Sequence, residues 1–314
     1  MSLLAAPGAI TLYARESAGF DARVASTLAL LQRAAAEHPM RIVQATSLGA
    51  EDMVITDLIA RHRLPIAIAT LQTGMLHAET TALIPRIESR YALDVEVFEP
   101  VQESVVHFVR KHGERAMYDS LELRKGCCAI RKLEPLSRML KDRSAWVTGM
   151  RREQSANRGT VEFTELDPNG GPEGRIKFNP LADWSWADVW QYIALFEVPY
   201  NPLHDQFYPS IGCAPCTRAI AVGEDFRAGR WWWENEGAKE CGLHLKPHSS
   251  DAPATVGSRS ETDGGIVSAM ANFGTSEVKG APATGQSQNE DATKGGLHVH
   301  EEPVQHLSMI GADA

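Results

Sequence analysis

Five cysteines carry most of the chemistry that this sequence offers. Cys127 and Cys128 are adjacent in "KGCCAIRKLEPL", and Cys213 and Cys216 form a C-x-x-C in "GCAPCTRAI". Four thiolates from two distant pairs suit a tetrahedral zinc ion or an iron–sulfur cluster. The side chains of adjacent cysteines on a helix point in diverging directions, so they fit poorly around one small ion. The separate irons of a cubane cluster tolerate that divergence. The spacing therefore favours a [4Fe–4S] cluster over zinc, and buried structural cysteines are the third alternative.

The fifth cysteine, Cys241, has no mate in "KECGLH". A thiol reacts as its thiolate, and an ordinary pKa of about 8.5 leaves little thiolate at neutral pH. Nearby cations would raise that fraction: Arg227 and Arg230 precede Cys241, and His244 follows three residues later. We interpret Cys241 as a candidate nucleophile on a mobile segment. A free surface thiol is the alternative.

The residues before position 245 alternate between strand and helix patterns. Short apolar runs predict buried strands, and longer stretches rich in alanine and leucine predict helices. The predicted strands are 41–47, 66–71, 93–99 and 145–150, and the predicted helices are 21–38, 51–62, 78–91 with a kink at Pro85, and 102–113. This alternation predicts an α/β fold in which a parallel sheet carries helices on both faces.

Three polar loops follow predicted strands, at 47–52 ("SLGAED"), 72–80 ("QTGMLHAET") and 149–158 ("GMRREQSANR"). Ligands of open parallel sheets bind at the carboxyl ends of the strands, so these loops would line one site. Ser47 and Gly49 suit a tight turn whose N–H groups meet a phosphate at a helix N-terminus. Each loop taken alone is also explained as a turn followed by a helix N-cap. The three loops together favour a nucleotide-like anion as the ligand of the site.

Composition and charge exclude several classes of protein. The chain has 314 residues, is 43% hydrophobic and carries a net charge of −9, which fits a globular protein without a broad nucleic-acid footprint. No apolar run reaches the roughly 18 residues of a membrane span. The first basic residue is Arg15, which is untypical of a signal peptide. We expect a cytoplasmic protein that binds neither nucleic acid nor membrane. Its oligomeric state stays open, a homo-oligomer included.

The segment 246–314 differs in composition from the rest of the chain. Small, polar and acidic residues dominate it, and Phe273 is its single aromatic residue. Such a segment buries too little apolar surface to offset the entropy of ordering. We therefore predict a folded domain at 1–245, whose residues 239–245 form the mobile catalytic segment, and a disordered low-complexity tail at 246–314.

Four stretches of the sequence carry a family resemblance. They are "CC-x-x-R-K-x-E-P-L" (127–136), "C-x-P-C-T-R" (213–218), "G-E-D-x-R-A-G-R-W-W-W-E" (223–234) and "E-C-G-L-H" (240–244). Together they resemble the assimilatory adenylyl-sulfate reductases of the bacterial iron–sulfur type, within the phosphoadenylyl-sulfate and adenylyl-sulfate reductase family. The resemblance spans roughly residues 15 to 245. It implies the adenine-nucleotide hydrolase-like α/β fold that is shared with ATP pyrophosphatases.

The resemblance also implies a reaction, the thiol-dependent reduction of adenosine 5′-phosphosulfate (APS) to sulfite and AMP in sulfate assimilation and cysteine biosynthesis. Cys241 would attack the sulfate sulfur, AMP would leave, and an enzyme S-sulfocysteine would form. Reduced thioredoxin, or glutaredoxin or glutathione, would then release sulfite. The family places a [4Fe–4S] cluster on the cysteines that correspond here to Cys127, Cys128, Cys213 and Cys216.

Substrate contacts follow from the same resemblance. The family places residues around the phosphosulfate at positions that match Lys132, Arg227, Arg230 and His244. The residues expected to frame the nucleotide are Ser47, Gly49, Asp52, Leu71, Gly74 and Gly149, with Arg158 as a further anion contact. One departure is Gln72, which stands in "LQTG" where the family commonly has an aspartate.

Other readings stay open at this point. The 3′-phosphorylated substrate (PAPS) is one alternative, although relatives that use it typically lack both cysteine pairs. A sulfurtransferase of the ATP pyrophosphatase type is another, but "SLGAED" lacks the second glycine and the final serine of that family's loop. A zinc-stapled binding module is a third. Arg151 and Arg152 are equally well interpreted as solvated surface charges. The run Trp231–Trp233 is interpreted as packing residues, and His77 and His204 are interpreted as turn or surface residues.

Overall fold

The computed structural model describes residues 8–170, 174–221 and 223–234. The described residues all belong to the first of two compact units, 1–252, into which the chain divides; the second unit is 253–314. The predicted segment 239–245 and the predicted tail 246–314, with Cys241 and His244, lie outside the described residues.

The fold is built on a six-stranded sheet. In chain order its strands are β1 (Ile42–Thr46), β2 (Ala67–Leu71), β3 (Val95–Phe98), β4 (Ala145–Val147), β5 (Thr164–Asp167) and β6 (Arg175–Phe178). The spatial order is β3-β2-β1-β4-β6-β5. Every pair is parallel except β5 with β6, an antiparallel edge pair. The central position of β1 places its carboxyl end in the middle of the ligand-binding edge.

Nine α-helices lie within the described residues. They are α1 (Ala9–Tyr13), α2 (Phe20–Glu37), α3 (Ala50–Arg61), α4 (Ala78–Thr81), α5 (Leu83–Tyr91), α6 (Gln102–His112), α7 (Leu121–Cys128), α8 (Glu134–Leu140) and α9 (Trp186–Phe196). A π-helix at Ala129–Leu133 joins α7 to α8. The remaining helical turns are short 3₁₀ segments at Ala116–Tyr118, Arg152–Gln154, Ala156–Arg158, Pro202–Gln206 and Ala214–Cys216. No helix of the described part has the length and apolar character that crossing a membrane requires.

Both faces of the sheet are covered, as the strand–helix alternation predicts. Successive side chains of a strand point to opposite faces, and β1 shows this directly. Ile42 belongs to the larger core, which α2, α3 and α9 cover, and its neighbour Val43 belongs to a smaller core beneath α8. Both side chains are at most 1% exposed. Because β1 is buried on both sides, its sequence shows no alternation of apolar residues with exposed polar ones.

Two predicted elements differ from the structure, and two strands were not predicted. The helix predicted over 78–91 is two helices, and the break falls at Ala82 rather than at Pro85, which lies in the first turn of α5. A proline is tolerated there because the first N–H groups of a helix have no intrahelical partner. The predicted strand 145–150 ends at Val147. The edge strands β5 and β6 were not predicted, since their short, charged sequences carry little apolar signal.

Candidate functional site

The turn after β1 is held by one buried carboxylate. Both the backbone N–H and the hydroxyl of Ser47 donate to Asp52 Oδ2, each at 2.6 Å. Asp52 lies in the first turn of α3, and Gly49 is the N-cap residue of that helix. Burial raises the pKa of Asp52 to about 6, although the hydrogen bonds from Ser47 oppose the rise. The Ser47–Asp52 pair therefore folds the loop back over the N-terminus of α3, where its N–H groups are available to an anion.

The loop after β4 packs directly against this turn. A Cβ on Gly149 would lie 2.4 Å from Asp52 Oδ1 and 3.0 Å from Glu51 Cβ. Real Cβ atoms do not approach other atoms so closely, so a residue without a side chain is required at this position. Gly149 thereby joins the carboxyl ends of two adjacent parallel strands into one wall.

A buried hydrogen-bond network fixes the rest of the β4 loop. Arg151 Nε and Nη2 each donate to Glu51 Oε1 at 3.0 Å, and Gln154 Nε2 donates to the same oxygen at 2.9 Å. The Oε1 atom of Gln154 in turn accepts from Arg158 Nη1. Arg151 is 1% exposed, so the reading of Arg151 as a solvated charge is wrong: the guanidinium serves as the counter-charge of Glu51. Arg152 keeps partial exposure and donates to Val161 O.

These loops open onto a cavity of about 200 Å³ at the carboxyl edge of the sheet. Its walls include nine of the predicted substrate-contact residues: Ser47, Gly49, Asp52, Leu71, Lys132, Gly149, Arg158, Arg227 and Arg230. Gly74 does not line the cavity. It takes a positive φ of 71° in the turn after β2, beside Arg131. His244 lies outside the described residues.

Part of the cavity wall is apolar, and the residue patterns did not single it out. Leu136 and Met139 of α8 and Trp146 of β4 line it beside the predicted Leu71. These side chains also belong to the smaller core of the sheet or pack against it. Their apolar character is what a core requires, so no sequence signal separates their two roles. Such a surface suits a flat heteroaromatic ring.

Two buried arginines supply the positive charge of the cavity. Arg227 and Arg230 are 8% and 7% exposed. Arg230 Nη1 donates weakly to Ser210 Oγ and Ile211 O, both at 3.3 Å. A Cβ on Gly212 would lie 2.4 Å from Arg230 Nη2, so this glycine makes room for the guanidinium. Within the described residues Arg230 pairs with no carboxylate, and a buried, uncompensated guanidinium indicates an anionic ligand.

The ring of Trp231 makes cation–π contacts with both guanidinium groups. The Arg230 guanidinium carbon lies 4.6 Å from the ring centroid, and that of Arg227 lies 6.0 Å away. Trp231 is 1% exposed, as expected for a packing residue, whereas Trp232 is 40% exposed. Cation–π contact of this kind holds a guanidinium without neutralising it. Trp231 therefore helps to orient both arginines, and the contact leaves the charge of Arg230 available to a ligand.

His204 is a cavity residue that sequence reasoning placed in a turn or at the surface. It is 2% exposed, lines the cavity, and has no hydrogen-bond partner for either ring nitrogen within the described residues. Its ring packs edge-on against Trp190 at 5.3 Å and Trp186 at 6.0 Å. Burial lowers the pKa of His204 to about 4, so the imidazole is neutral at pH 7. Packing against Trp186 and Trp190 of α9 buries it, a tertiary contact that no local sequence pattern marks.

The four paired cysteines lie together in a second, smaller cavity. Cys127 and Cys128 end α7. Cys213 precedes the 3₁₀ turn Ala214–Cys216, and Cys216 is the last residue of that turn; all four cysteines are buried and form no disulfide. The π-helix begins at Ala129, directly after the cysteine pair. π-helical turns frequently occur at functional sites. The cavity is completed by Met75, Met117, Arg124, Arg131, Lys132 and Trp231.

The donor set of this cavity fits an iron–sulfur cluster. Burial raises the pKa of Cys127, and it raises that of Cys216 to about 12. A bound metal supplies the positive charge that keeps such thiols ionised. Among the His, Cys, Asp and Glu side chains of the described residues, no group of three lies close enough together to hold a single metal ion. A cluster, which offers each cysteine a separate iron, makes no such demand. Thr73 Oγ1 lies 3.3 Å from Cys213 Sγ, within reach of a hydrogen bond to sulfur.

The two cavities share a wall. Lys132 and Trp231 line both of them. Lys132 lies in the π-helix, four residues after Cys128. The arrangement brings the four-cysteine site next to the cationic end of the larger cavity.

Comparisons with a family model and with curated proteins agree on one family for this chain. The family model "Phosphoadenosine phosphosulfate reductase domain" matches residues 41–219. Adenosine 5′-phosphosulfate reductase of Burkholderia cepacia is 53% identical over 224 residues, which cover 71% of this chain and 88% of that protein. The enzyme of the same name from Allochromatium vinosum is 52% identical over 232 residues, covering 74% of this chain and 89% of the relative.

A solved structure shares the architecture. The crystal structure of phosphoadenylyl-sulfate (PAPS) reductase from Candida auris, a phosphate complex, aligns with a TM-score of 0.52 at 27% identity and covers 64% of this chain and 98% of that one. The likeness confirms the fold class predicted from the sequence. The matched stretch 41–219 contains β1 to β6 and all four paired cysteines. The chain therefore belongs to the phosphoadenosine phosphosulfate reductase family.

Proposed function

We propose that the protein reduces adenosine 5′-phosphosulfate to sulfite and AMP, with a thiol as reductant and Cys241 as nucleophile. The observation that carries the proposal is the buried guanidinium of Arg230, which pairs with no carboxylate among the described residues and lines a cavity at the carboxyl edge of the sheet. The relatives at 52–53% identity are named for this reaction. An apolar wall for the base and a cationic end for the phosphosulfate match the two halves of the substrate.

The first step is the transfer of a sulfonate group. The Cys241 thiolate attacks the sulfate sulfur, an S–S bond forms, and the S–O bond to the phosphate breaks. AMP leaves with the electron pair on its phosphate oxygen. Arg227, Arg230 and Lys132 bind the phosphosulfate and stabilise the charge that develops on that oxygen. The N–H groups at the start of α3 contribute further donors.

The second step consumes two electrons from a dithiol. A donor thiolate attacks Cys241 Sγ, sulfite leaves with the electron pair of the S–S bond, and a mixed disulfide forms. The second donor thiol resolves this disulfide and restores the Cys241 thiol. We propose thioredoxin as the donor, with glutaredoxin or glutathione as alternatives. A reduced dithiol pool places the reaction in the cytoplasm.

We further propose that the four-cysteine cavity holds a [4Fe–4S] cluster on Cys127, Cys128, Cys213 and Cys216. When bound, the cluster supplies a fixed charge and a structural link beside Lys132; the electrons of the reaction come from the thiol donor. Lys132 lines both cavities, so it faces the cluster site and the anion together. Anaerobically purified protein should be brown, with about four irons and four sulfides per chain; colourless, fully active protein with zinc would contradict this assignment.

The test of the reaction compares three nucleotides. Anaerobic protein is incubated with reduced thioredoxin and APS, PAPS or ATP, and sulfite, AMP and pyrophosphate are quantified. We expect equal amounts of sulfite and AMP from APS and a much lower kcat/KM with PAPS. A preference for PAPS would support the second candidate, which the fold shared with the Candida auris enzyme keeps open. Pyrophosphate release from ATP without sulfite from APS would contradict the proposal.

A further inference from the structure

The loop that carries the C-x-x-C pair also encloses the guanidinium of Arg230. Arg230 Nη1 donates to Ser210 Oγ and to Ile211 O, both at 3.3 Å. A Cβ on Gly212 would lie 2.4 Å from Arg230 Nη2. These three loop residues directly precede Cys213 in the chain. The position of the loop therefore decides where the charge of Arg230 lies in the larger cavity.

One buried hydroxyl links the two ends of this loop. Thr217 Oγ1 accepts a hydrogen bond from Gly212 N and donates one to Cys213 O, each at 3.0 Å. Thr217 is 4% exposed, so water has little access to either hydrogen bond. The hydroxyl thereby fixes the residue that makes room for the guanidinium relative to the turn of the cysteine pair.

The backbone of Arg230 lies against the other end of the same loop. Thr217 and Arg230 form an antiparallel β-bridge, and Trp231 N donates to Cys216 O at 3.2 Å. The main chain of Arg230 is therefore held beside Thr217, whereas the end of its side chain lies against Gly212. The hydroxyl of Thr217 connects these two places, so it controls the direction in which the guanidinium points.

We propose that Thr217 is a positioning residue of the anion site: through Gly212, its hydroxyl holds the Arg230 guanidinium where it binds the phosphosulfate. The inference deepens the proposed function and rests on it, because it needs an anionic group of the substrate at Arg230. Hydrogen bonds from a guanidinium to an anion are strong and directional, and they weaken steeply when the donor angle departs from linearity. Loss of the hydroxyl should therefore lower anion affinity, although Thr217 itself does not line the cavity.

The test is a double-mutant cycle on APS binding, which isolates the energetic coupling between two residues. The parent protein carries Cys241→Ser, so that bound APS is not consumed, and every variant is purified anaerobically. Thr217→Val removes the hydroxyl and keeps the shape of the side chain. Arg230→Met removes the guanidinium, and a double variant carries both changes. Calorimetric titration gives the Kd for APS, and the bound metal of each protein is quantified.

The expected result is a loss of affinity that depends on Arg230. Thr217→Val should raise the Kd for APS at least about fivefold when Arg230 is present and less than about twofold in the Arg230→Met background. Thr217→Ser keeps a hydroxyl and should bind APS within about twofold of the parent. Gly212→Ala displaces the same guanidinium from the opposite side and should weaken binding as Thr217→Val does. The metal content should stay unchanged in all these variants.

The matched control is Thr27, whose hydroxyl makes the same pair of hydrogen bonds elsewhere in the fold. Thr27 Oγ1 donates to Pro180 O and accepts from Trp184 Nε1, each at 3.0 Å, and the residue is 2% exposed. Thr27 lines neither cavity. Thr27→Val should therefore lose stability in urea denaturation, as Thr217→Val does, but should keep the Kd for APS within about twofold of the parent.

The outcomes separate this inference from the proposed function. If the parent binds APS and Thr217→Val weakens binding equally with and without Arg230, the hydroxyl does not act through the guanidinium; the inference is then refuted while the proposed function stands. An effect of Thr217→Val below fivefold, a failure of Thr217→Ser to restore binding, or a loss of bound metal in Thr217→Val would refute it as well. If the parent does not bind APS, the proposed function fails and the inference fails with it.

Discussion

Asp52 shows how much one buried residue determines in this site. Its carboxylate receives both hydrogen bonds from Ser47 and is approached closely by Gly149, so it joins two loops that start from different strands. The residues of this wall were predictable, because polar and glycine residues after parallel strands mark a ligand-binding edge. The contacts between these residues were not predictable, because the close approach of Gly149 to Asp52 depends on the register of β1 against β4.

The close approach at Gly149 gives a sharp substitution test. In Gly149→Ala, the new Cβ would lie 2.4 Å from Asp52 Oδ1, so the two loops must separate. Overpacking of this kind costs about 1–3 kcal/mol of stability, and we expect AMP affinity to fall at least tenfold. The measurements are urea denaturation and calorimetric AMP titration. Gly159→Ala is the control, because its Cβ would meet no atom closer than 3.5 Å; equal effects in both variants would contradict the account.

His204 gives a prediction on pH. The folded-state pKa is about 4 against an ordinary 6.5, so the unfolded chain takes up this proton first as pH falls. Stability from neutral His204 is therefore fully present above pH 6.5 and is lost progressively towards pH 4. Between pH 7 and pH 5 wild type should lose about 2 kcal/mol more than His204→Phe, measured by urea denaturation. Parallel pH profiles for the two proteins would show that the imidazole is not buried in neutral form.

At the scale of elements, the helices and the sheet were more predictable than their ends. The strands β1 to β4 and the helices α2, α3 and α6 lie where apolar periodicity places them. The sequence "KGCCAIRKLEPL" predicts a helix that starts there, and the structure divides this stretch into the end of α7, a π-helix and α8. Nothing in local propensity specifies a π-helical turn, which is rare and frequently found at functional sites. The burial of Arg151 and His204 was not predicted either, because it depends on tertiary packing.

Asp57 links three helices through side-chain hydrogen bonds. This fully buried residue of α3 accepts hydrogen bonds from Tyr91 of α5 and Tyr192 of α9, both at 2.8 Å, and from Arg61. Asp57→Ala would leave the buried hydroxyl of Tyr192 and the partly buried hydroxyl of Tyr91 without their acceptor, at a cost of about 3–5 kcal/mol in the free energy of unfolding. AMP affinity should change less than threefold, because Asp57 does not line the cavity.

The control for Asp57 is an exposed carboxylate on α2. Glu37 faces Arg33 at 3.7 Å, and both side chains are more than half exposed, so Glu37→Ala should cost less than about 0.5 kcal/mol. Chemical denaturation measures both variants. If Asp57→Ala were as stable as Glu37→Ala, the helix network would not be a source of stability.

At the scale of the whole molecule, two cavities share a wall at the carboxyl edge of one sheet. Lys132 and Trp231 form that wall, so the four-cysteine site, where we propose the cluster, and the anion site are parts of one structure. Sequence reasoning placed the four cysteines, Lys132 and the arginines in one region from motifs alone, and the structure brings them together. The shape of the cavity and the enclosure of Arg230 by the loop at Gly212 depend on tertiary packing and could not be predicted.

The composition of the last segment gives a prediction for the intact chain. Residues 246–314 contain a single aromatic residue and are expected to add no core. A chain truncated after residue 252, where the first compact unit ends, should keep its iron content, its AMP affinity and its thermal midpoint within about 2 °C. Calorimetry and iron analysis provide the comparison. A truncated chain that loses the cluster would refute the predicted two-part organisation.

The most direct measurement concerns the sulfur that accepts the sulfonate. Iron-loaded protein is incubated with APS in the absence of any thiol, and its intact mass and peptide map are recorded beside those of Cys241→Ser. We predict that wild type gains one SO₃ group per chain, located on Cys241 and removed by reduced thioredoxin, and that Cys241→Ser gains none. An adduct on another residue, or sulfite formed by Cys241→Ser at the wild-type rate, would contradict the account.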